Sequence, residues 1–220
     1  MCGRYTLTYD INTIAQAFNI ATSSSLHVTP RYNIAPAQEV LTILCNGAAH
    51  FDLLRWGLIP SWAKQETIGS KMINARAETL AEKPSFKRLL HARRCLVIAD
   101  GFYEWKQEER GAKTPMYITL KNHEPFAFAG LWDAWKRPDG QQVRSCTIIT
   151  TQPNELMVPI HNRMPVILST AAREQWLDAD SDDEHMLLPL LTPYPADQMT
   201  ARAVSRLVNN PRHDSADLIA

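Results

Sequence analysis

Cysteine stands at position 2 of the chain, directly after the initiator methionine, and its small side chain permits that methionine to be trimmed. Removal of Met1 leaves Cys2 as a 1,2-aminothiol. Its amine condenses with an aldehyde to an imine, and its thiol then closes a five-membered thiazolidine, a route closed to any internal cysteine. The two groups ordinarily titrate near ~8 and ~8.5, so both are partly nucleophilic at neutral pH. A neighbouring base or cation increases that fraction. The remaining cysteines, Cys45, Cys95 and Cys146, lie in apolar or β-branched runs (LTILCN, RCLVIAD, SCTIITT) and read as inert buried thiols in strands. No two cysteines have CxxC spacing and none has a histidine at zinc-ligand spacing, so neither a metal ion nor a redox motif is expected.

Further chemistry is available in three short motifs. Glu104 lies in DGFYEWK between Tyr103 and Trp105. A carboxylate among aromatics has a raised pKa and serves as general acid or base; the same residue also reads as an exposed Glu at a strand end with Trp105 packed inward. His161, in PIHNRMP, stands where an apolar stretch meets a basic loop, which suits a proton shuttle or, equally, a structural histidine. Asn74 and Arg76 alternate in INAR, where an extended backbone points both the same way. Asn orients an oxygen and Arg grips a phosphate through two parallel hydrogen bonds, unless the pair only satisfies a loop.

These residues must be positioned by a chain of 220 residues with 45% hydrophobic and 21% charged side chains, enough for one cooperative core. No internal repeat and no linker rich in Gly, Ser or Pro divides it, so residues 1–220 are expected to form a single domain. Strands are expected at 40–44, 51–57, 95–99, 116–120, 126–131, 143–150 and 166–168 from their short β-branched and aromatic runs. Helices are expected at 11–18 after Asp10, at 84–92 opening on Pro84, at 170–177 capped by Ser169, and at 183–188 ended by Pro189. Strands outnumber helices without alternating with them, which predicts an α+β fold. Five dense motifs, RYNIAP, RWGLIPSW, INARAET, DGFYEWK and PIHNRMP, read as rigid loops carrying polar groups.

Charge and hydropathy set limits on function. Lys plus Arg and Asp plus Glu are both 23, which argues against a uniformly basic coat for nucleic acid. Residues 1–106, however, carry 12 basic and 8 acidic side chains, leaving 11 and 15 for the remainder. Arg4, Arg31, Arg55 and Arg76 sit inside motifs rather than on helical faces, compatible with a local anion site. No apolar run approaches the roughly 20 residues of a membrane helix, and MCGRYTLTYD lacks the basic segment and apolar core of an export signal. A cytoplasmic protein is expected.

Taken in order, MCGRY, RYNIAP, RWGLIPSW, INARAET, ADGFYEWK, IHNRMPVIL and VSRLVNN give the chain its resemblance to the SOS-response-associated peptidase (SRAP) family of abasic-site processing proteins. The resemblance spans about residues 2–209. It implies one domain of twisted, mostly antiparallel sheet with flanking helices. It also implies loss of Met1 and trapping by Cys2 of the ring-opened aldehyde of an abasic site in single-stranded DNA, as a thiazolidine crosslink that shields the lesion. By motif, Asn74, Glu104 and His161 fall on the family's active-site positions, Arg76 and Arg163 on its phosphate-gripping arginines with Arg4 a third, and Trp62 and Trp105 on aromatics lining the DNA channel. Cleavage of its own N-terminal extension and abasic-site lyase activity are further implications. No cofactor is required, the partner is DNA rather than membrane, and a monomer associated with the nucleoid when DNA-bound is expected. The sequence ends HDSADLIA, so no tail-borne partner is expected. Two other readings compete: a thiol peptidase acting in trans through Cys2, and a non-catalytic single-strand-binding module built from the arginines and tryptophans.

Overall fold

The computed structural model describes residues 2–22, 26–109, 111–181 and 183–220. Among the described residues thirteen strands run β1 (Arg4–Leu7), β2 (Arg31–Ile34), β3 (Glu39–Asn46), β4 (Ala48–Trp56), β5 (Asn74–Arg76), β6 (Arg94–Ala99), β7 (Gly101–Gln107), β8 (Lys113–Leu120), β9 (Phe126–Lys136), β10 (Gln142–Thr151), β11 (Met164–Pro165), β12 (Ile167–Leu168) and β13 (Met199–Ala203). Four α-helices join them: α1 (Ile11–Phe18), α2 (Pro84–Ala92), α3 (Thr170–Leu177) and α4 (Glu184–Leu187). The sheets are mostly antiparallel and the class is α+β, with five strands in one sheet ordered β13-β8-β7-β1-β2.

The second sheet closes on itself. Strand β10 pairs with β4, β4 with β3, β3 with β6, β6 with β9, and β9 with β10 again, so five strands form a ring. Closure removes the exposed edges that would otherwise invite association. Along its other edge β10 takes three partners in succession: β4 and β5 in parallel, then β11 antiparallel. That edge therefore gathers segments from distant parts of the sequence.

The two sheets are joined through Asp100, the corner residue between β6 and β7. Its buried carboxylate accepts from Thr6 Oγ1, from the Thr8 amide and from Thr8 Oγ1, the last at 2.6 Å. A buried carboxylate must be saturated with donors in this way or it costs several kcal/mol. The donors all come from β1 and the residue after it, so β1 is held to β7. Aromatic rings fill the space between the layers. Tyr5 meets Trp56 edge-on at 5.3 Å between centroids and Phe128 at 5.8 Å, and Phe102 meets Phe128 at 6.1 Å. Such pairs contribute about 0.5–1.5 kcal/mol each beyond their buried area.

The helices follow their local signals. Asp10 caps α1 by accepting from the amides of Asn12 at 2.9 Å and Thr13 at 3.1 Å, and Asn19 closes it in the left-handed region. Helix α2 opens on Pro84 and buries Phe86, Leu89 and Leu90, and Ser169 caps α3. The fourth is shorter than expected, and Pro189 lies inside a 3₁₀ turn, Leu188–Leu190, that continues it. Four of the expected loops contain strands: RYNIAP contains β2, INARAET β5, DGFYEWK β7 and PIHNRMP β11. Strands β1 and β13 lie where no strand was expected, because four or five residues with mixed polarity carry no clear alternation. Cys95 and Cys146 are buried as expected; Cys45, near the end of β3, is only half-buried.

One close backbone contact sets the position of β5. Gly57 has φ +121°, and a Cβ on Gly69 would stand 2.7 Å from the Gly57 carbonyl oxygen. This contact lets the Glu66–Lys71 turn lie against the end of β4. Trp56 Nε1 then donates to Ile73 O at 2.9 Å, and Leu58 N to Met72 O at 3.1 Å, which delivers Asn74. Gly69→Ala is expected to lower stability by roughly 1–3 kcal/mol, the usual cost of overpacking. Urea unfolding measures this; an unchanged midpoint would remove the contact from the account.

Candidate functional site

Strand β1 pairs with β7 through Arg4↔Tyr103, Tyr5↔Phe102 and Thr6↔Gly101. That register runs the residues ahead of Arg4 alongside Glu104. Cys2 is fully buried, with Sγ 3.9 Å from Arg4 O. Across from it, β5 lies parallel to β10 with Asn74 opposite Ile148, and Asn74 Nδ2 donates to Cys2 O at 2.8 Å. Residues 72 apart in sequence are thereby bonded directly. Asn74 Oδ1 is buried with no hydrogen-bond partner among the described residues, an acceptor left available at the site. Position 1 itself lies outside the described residues.

Glu104 belongs to β7 and is only 2% exposed, which excludes the exposed strand-end reading; Trp105 is half-buried. Burial pushes the Glu104 carboxyl up to about 7, because the charged form loses its hydration. Burial, and then the charge on Glu104, push the Cys2 thiol well up. His161 Nε2 stands 3.9 Å from Glu104 Oε2. The loop before β11 sets that ring, with the Arg163 amide donating to His161 Nδ1 at 3.1 Å. The Arg163 carbonyl oxygen lies 3.2 Å from the same Nδ1, so the Arg163 backbone holds the ring with Nε2 toward Glu104. Partial burial lowers the His161 pKa. Glu104 and His161 are thus two titratable groups 3.9 Å apart, both shifted by burial.

Cys2, Asn74, Glu104 and His161 converge from the segment ahead of β1, from β5, from β7 and from the loop before β11. The expected anion and base contacts divide differently. Arg163 projects its guanidinium onto Glu78, Nη1 to Oε1 at 2.6 Å and Nη2 to Oε2 at 2.9 Å, and is backed by Thr150 O at 2.5 Å. Arg76 is exposed. Arg4 directs Nη1 to Asn33 Oδ1 at 2.8 Å and Val208 O at 2.7 Å, so it ties the first strand to the 3₁₀ turn Arg206–Asn209. Trp105 Nε1 donates to Asn209 Oδ1 at 2.7 Å in the same region. Trp62 is not drawn into this group: it stands 61% exposed on the loop after β4, beside Ser61, whose amide donates to Asp133.

Three contributors escaped sequence reasoning. Asn33 is buried and donates to the carbonyls of Val208, Asn210 and His213. Asn209 orients Trp105, and Glu78 faces Arg163. Asn33, Asn209 and Glu78 lie in RYNIAP, VSRLVNN and INARAET, but nothing in those motifs tells which polar residue faces inward. Among the described residues no group of His, Cys, Asp and Glu is arranged to hold a metal ion. Among them, too, no helix is long and apolar enough to cross a membrane.

The chain is similar to known proteins over nearly its whole length. Residues 1–211 match the family described as SOS response associated peptidase (SRAP). The chain is 51% identical over 223 residues to the abasic site processing protein YoqW of Bacillus subtilis, covering 100% of this chain and 99% of that one. It is 33% identical to the abasic site processing protein HMCES of Rattus norvegicus, covering 87% of this chain and 65% of that one. A solved structure of a protein from Bacteroides thetaiotaomicron superposes with a TM-score of 0.89 at 27% identity, covering 99% of this chain and 98% of that one. One from Bordetella bronchiseptica gives 0.79 at 26% identity, covering 93% and 100%.

The raised Glu104 pKa has a measurable sign. The folded protein holds this proton up to about 7, whereas an unfolded Glu releases it near ~4.3. Between those values the folded state binds more protons, so Glu104 takes stability away as pH rises through the window and no more above it. Glu104→Gln, which stays neutral, is expected to gain several degrees in melting temperature over the parent at pH 8 and little at pH 4.5. A pH-independent difference would contradict the buried carboxyl.

Proposed function

The chain belongs to the SOS response associated peptidase (SRAP) family, and from that premise we propose that it processes abasic sites in single-stranded DNA by covalent capture on Cys2. The observation that carries this reading is the convergence of Asn74, Glu104 and His161 on the first residues of the chain, fixed by the Asn74 bond to Cys2 O. A side chain needed only for packing would not require an acid–base pair beside it.

Removal of Met1 frees the Cys2 amine. An abasic deoxyribose is mostly a closed hemiacetal, and His161 moves the proton that opens it to the aldehyde. The amine adds to that carbon, Glu104 carries protons as the carbinolamine forms, and water leaves to give the imine. The thiol then adds across the C=N bond: sulfur bonds to carbon, the thiol proton ends on nitrogen, and the thiazolidine is formed with the net loss of one water. Asn74 holds the terminus, and its free Oδ1 accepts from the amine or a sugar hydroxyl. Pre-positioned groups of this kind replace an unfavourable bimolecular encounter. Reversal uses the same groups backwards.

Arg76 and Arg163 hold the flanking phosphates, and Trp105 and Trp62 stack on adjacent bases, a sequence-tolerant grip on single strands. Arg4, with its Nη1 donors committed to Asn33 and Val208, serves as the anchor of β1. Cleavage of a peptide bond ahead of Cys2 would use the same thiol beside Glu104 and His161. Strand scission at the lesion would proceed from the imine, by loss of the 3′ phosphate.

Intact-mass spectrometry with an abasic oligonucleotide tests this reading. Protein beginning at Cys2 is expected to gain the oligonucleotide mass less one water, and Cys2→Ala to gain nothing. Adduct formation by Cys2→Ala, or equal non-covalent binding of intact and abasic strands without any adduct, would overturn it. Turnover of peptides without DNA would favour the trans-acting peptidase instead.

A further inference from the structure

We propose that Glu78 is a built-in stand-in for a DNA phosphate: it occupies the Arg163 guanidinium in the free protein and is displaced when a strand binds. The inference rests on the reading that Arg76 and Arg163 grip phosphates. Its own basis is the geometry of one ion pair. Glu78 meets Arg163 through both carboxylate oxygens, at 2.6 and 2.9 Å. This two-oxygen, two-nitrogen arrangement is also the one a guanidinium makes with the non-bridging oxygens of a phosphodiester.

The two partners are not equivalent. The Arg163 side chain is 15% exposed and the Glu78 side chain 40%. Arg163 is also held from behind, by Nη2 to Thr150 O and by its amide to His161 Nδ1. Glu78 sits in the 3₁₀ turn Ala77–Thr79, directly after the strand that carries Asn74 and Arg76. The cation is therefore fixed and the anion lies on the solvent side, so the anion is the partner free to leave. Arg76 also acts on the Glu78 carboxyl, which the hydrogen bond from Arg163 holds below its usual range. The carboxylate is thus paired with Arg163 and lies within the field of Arg76.

A strand approaching this edge meets a negative charge before it reaches Arg163. Every bound strand, damaged or intact, must displace that carboxylate, so binding without crosslinking is weakened. Residence on undamaged DNA is shortened, whereas a captured lesion is held by its covalent bond and loses nothing. A role limited to positioning Arg163 predicts the opposite sign, since removing Glu78 would then misplace the arginine and weaken binding.

Fluorescence anisotropy with an undamaged, labelled single-stranded oligonucleotide at low salt separates these outcomes. Glu78→Gln is expected to bind about three- to tenfold more tightly than the parent, the scale of one partly exposed ion pair. The gain should vanish in an Arg163→Gln background, as a double-mutant cycle requires. A gain in affinity is not a result that a misfolded variant produces. Arg76→Ala and Arg163→Gln are expected to weaken binding. Should these two weaken it while Glu78→Gln binds no better, the stand-in role fails and the phosphate grip survives. If neither arginine variant has an effect, both fall.

Discussion

The site depends on a first strand that is not allowed to fray. First residues are ordinarily mobile, since nothing offsets the entropy of ordering them. Here the strand that follows Cys2 lies inside a five-stranded sheet, between β2 and β7, with Tyr5 packed on Trp56 and Phe128. The Asp100 carboxylate bonds β1 at one end, and the Arg4 guanidinium ties its other end to the far end of the sequence. Asn74 closes the arrangement at Cys2 itself. Each of these bonds joins segments about 30 to 200 positions apart, so the terminus is ordered only when the whole domain is folded.

The same burial supplies the chemistry. Removing Glu104 from water raises its pKa into the neutral range, and lesser burial lowers that of His161. The same burial, with the charge on Glu104 beside it, pushes the Cys2 thiol up. Charge is arranged in layers: an acid–base pair inside, arginines outside, and Glu78 in front of Arg163.

Much of this was legible in the sequence, and the limits have physical causes. Caps announced α1 and α3, because Asp10 and Ser169 act on amides two or three residues away. Strands β3, β6, β9 and β10 showed themselves as apolar runs. Strands β1, β2 and β7 did not, since their buried and anchoring polar residues break the alternation that marks a strand. Glu104 is the clearest case, a buried carboxylate in the middle of a strand. Family resemblance located Asn74, Glu104 and His161, but only the folded register of β1 on β7 and β5 on β10 brings them to Cys2. The partners of Arg4 and Arg163 lay beyond reach, because they depend on which strands become neighbours across long separations.

The central claim is that a free amine and its own thiol, held at one buried position, act together. The direct measurement compares two proteins by the yield of heat-stable crosslink to an abasic strand: one beginning at Cys2, the other carrying a single added glycine ahead of it. Both have a free amine and the same thiol, but in the second they no longer belong to one residue and cannot close a five-membered ring. The account predicts a stable crosslink for the first and none for the second. Equal yields would show that the paired groups are not what captures the lesion.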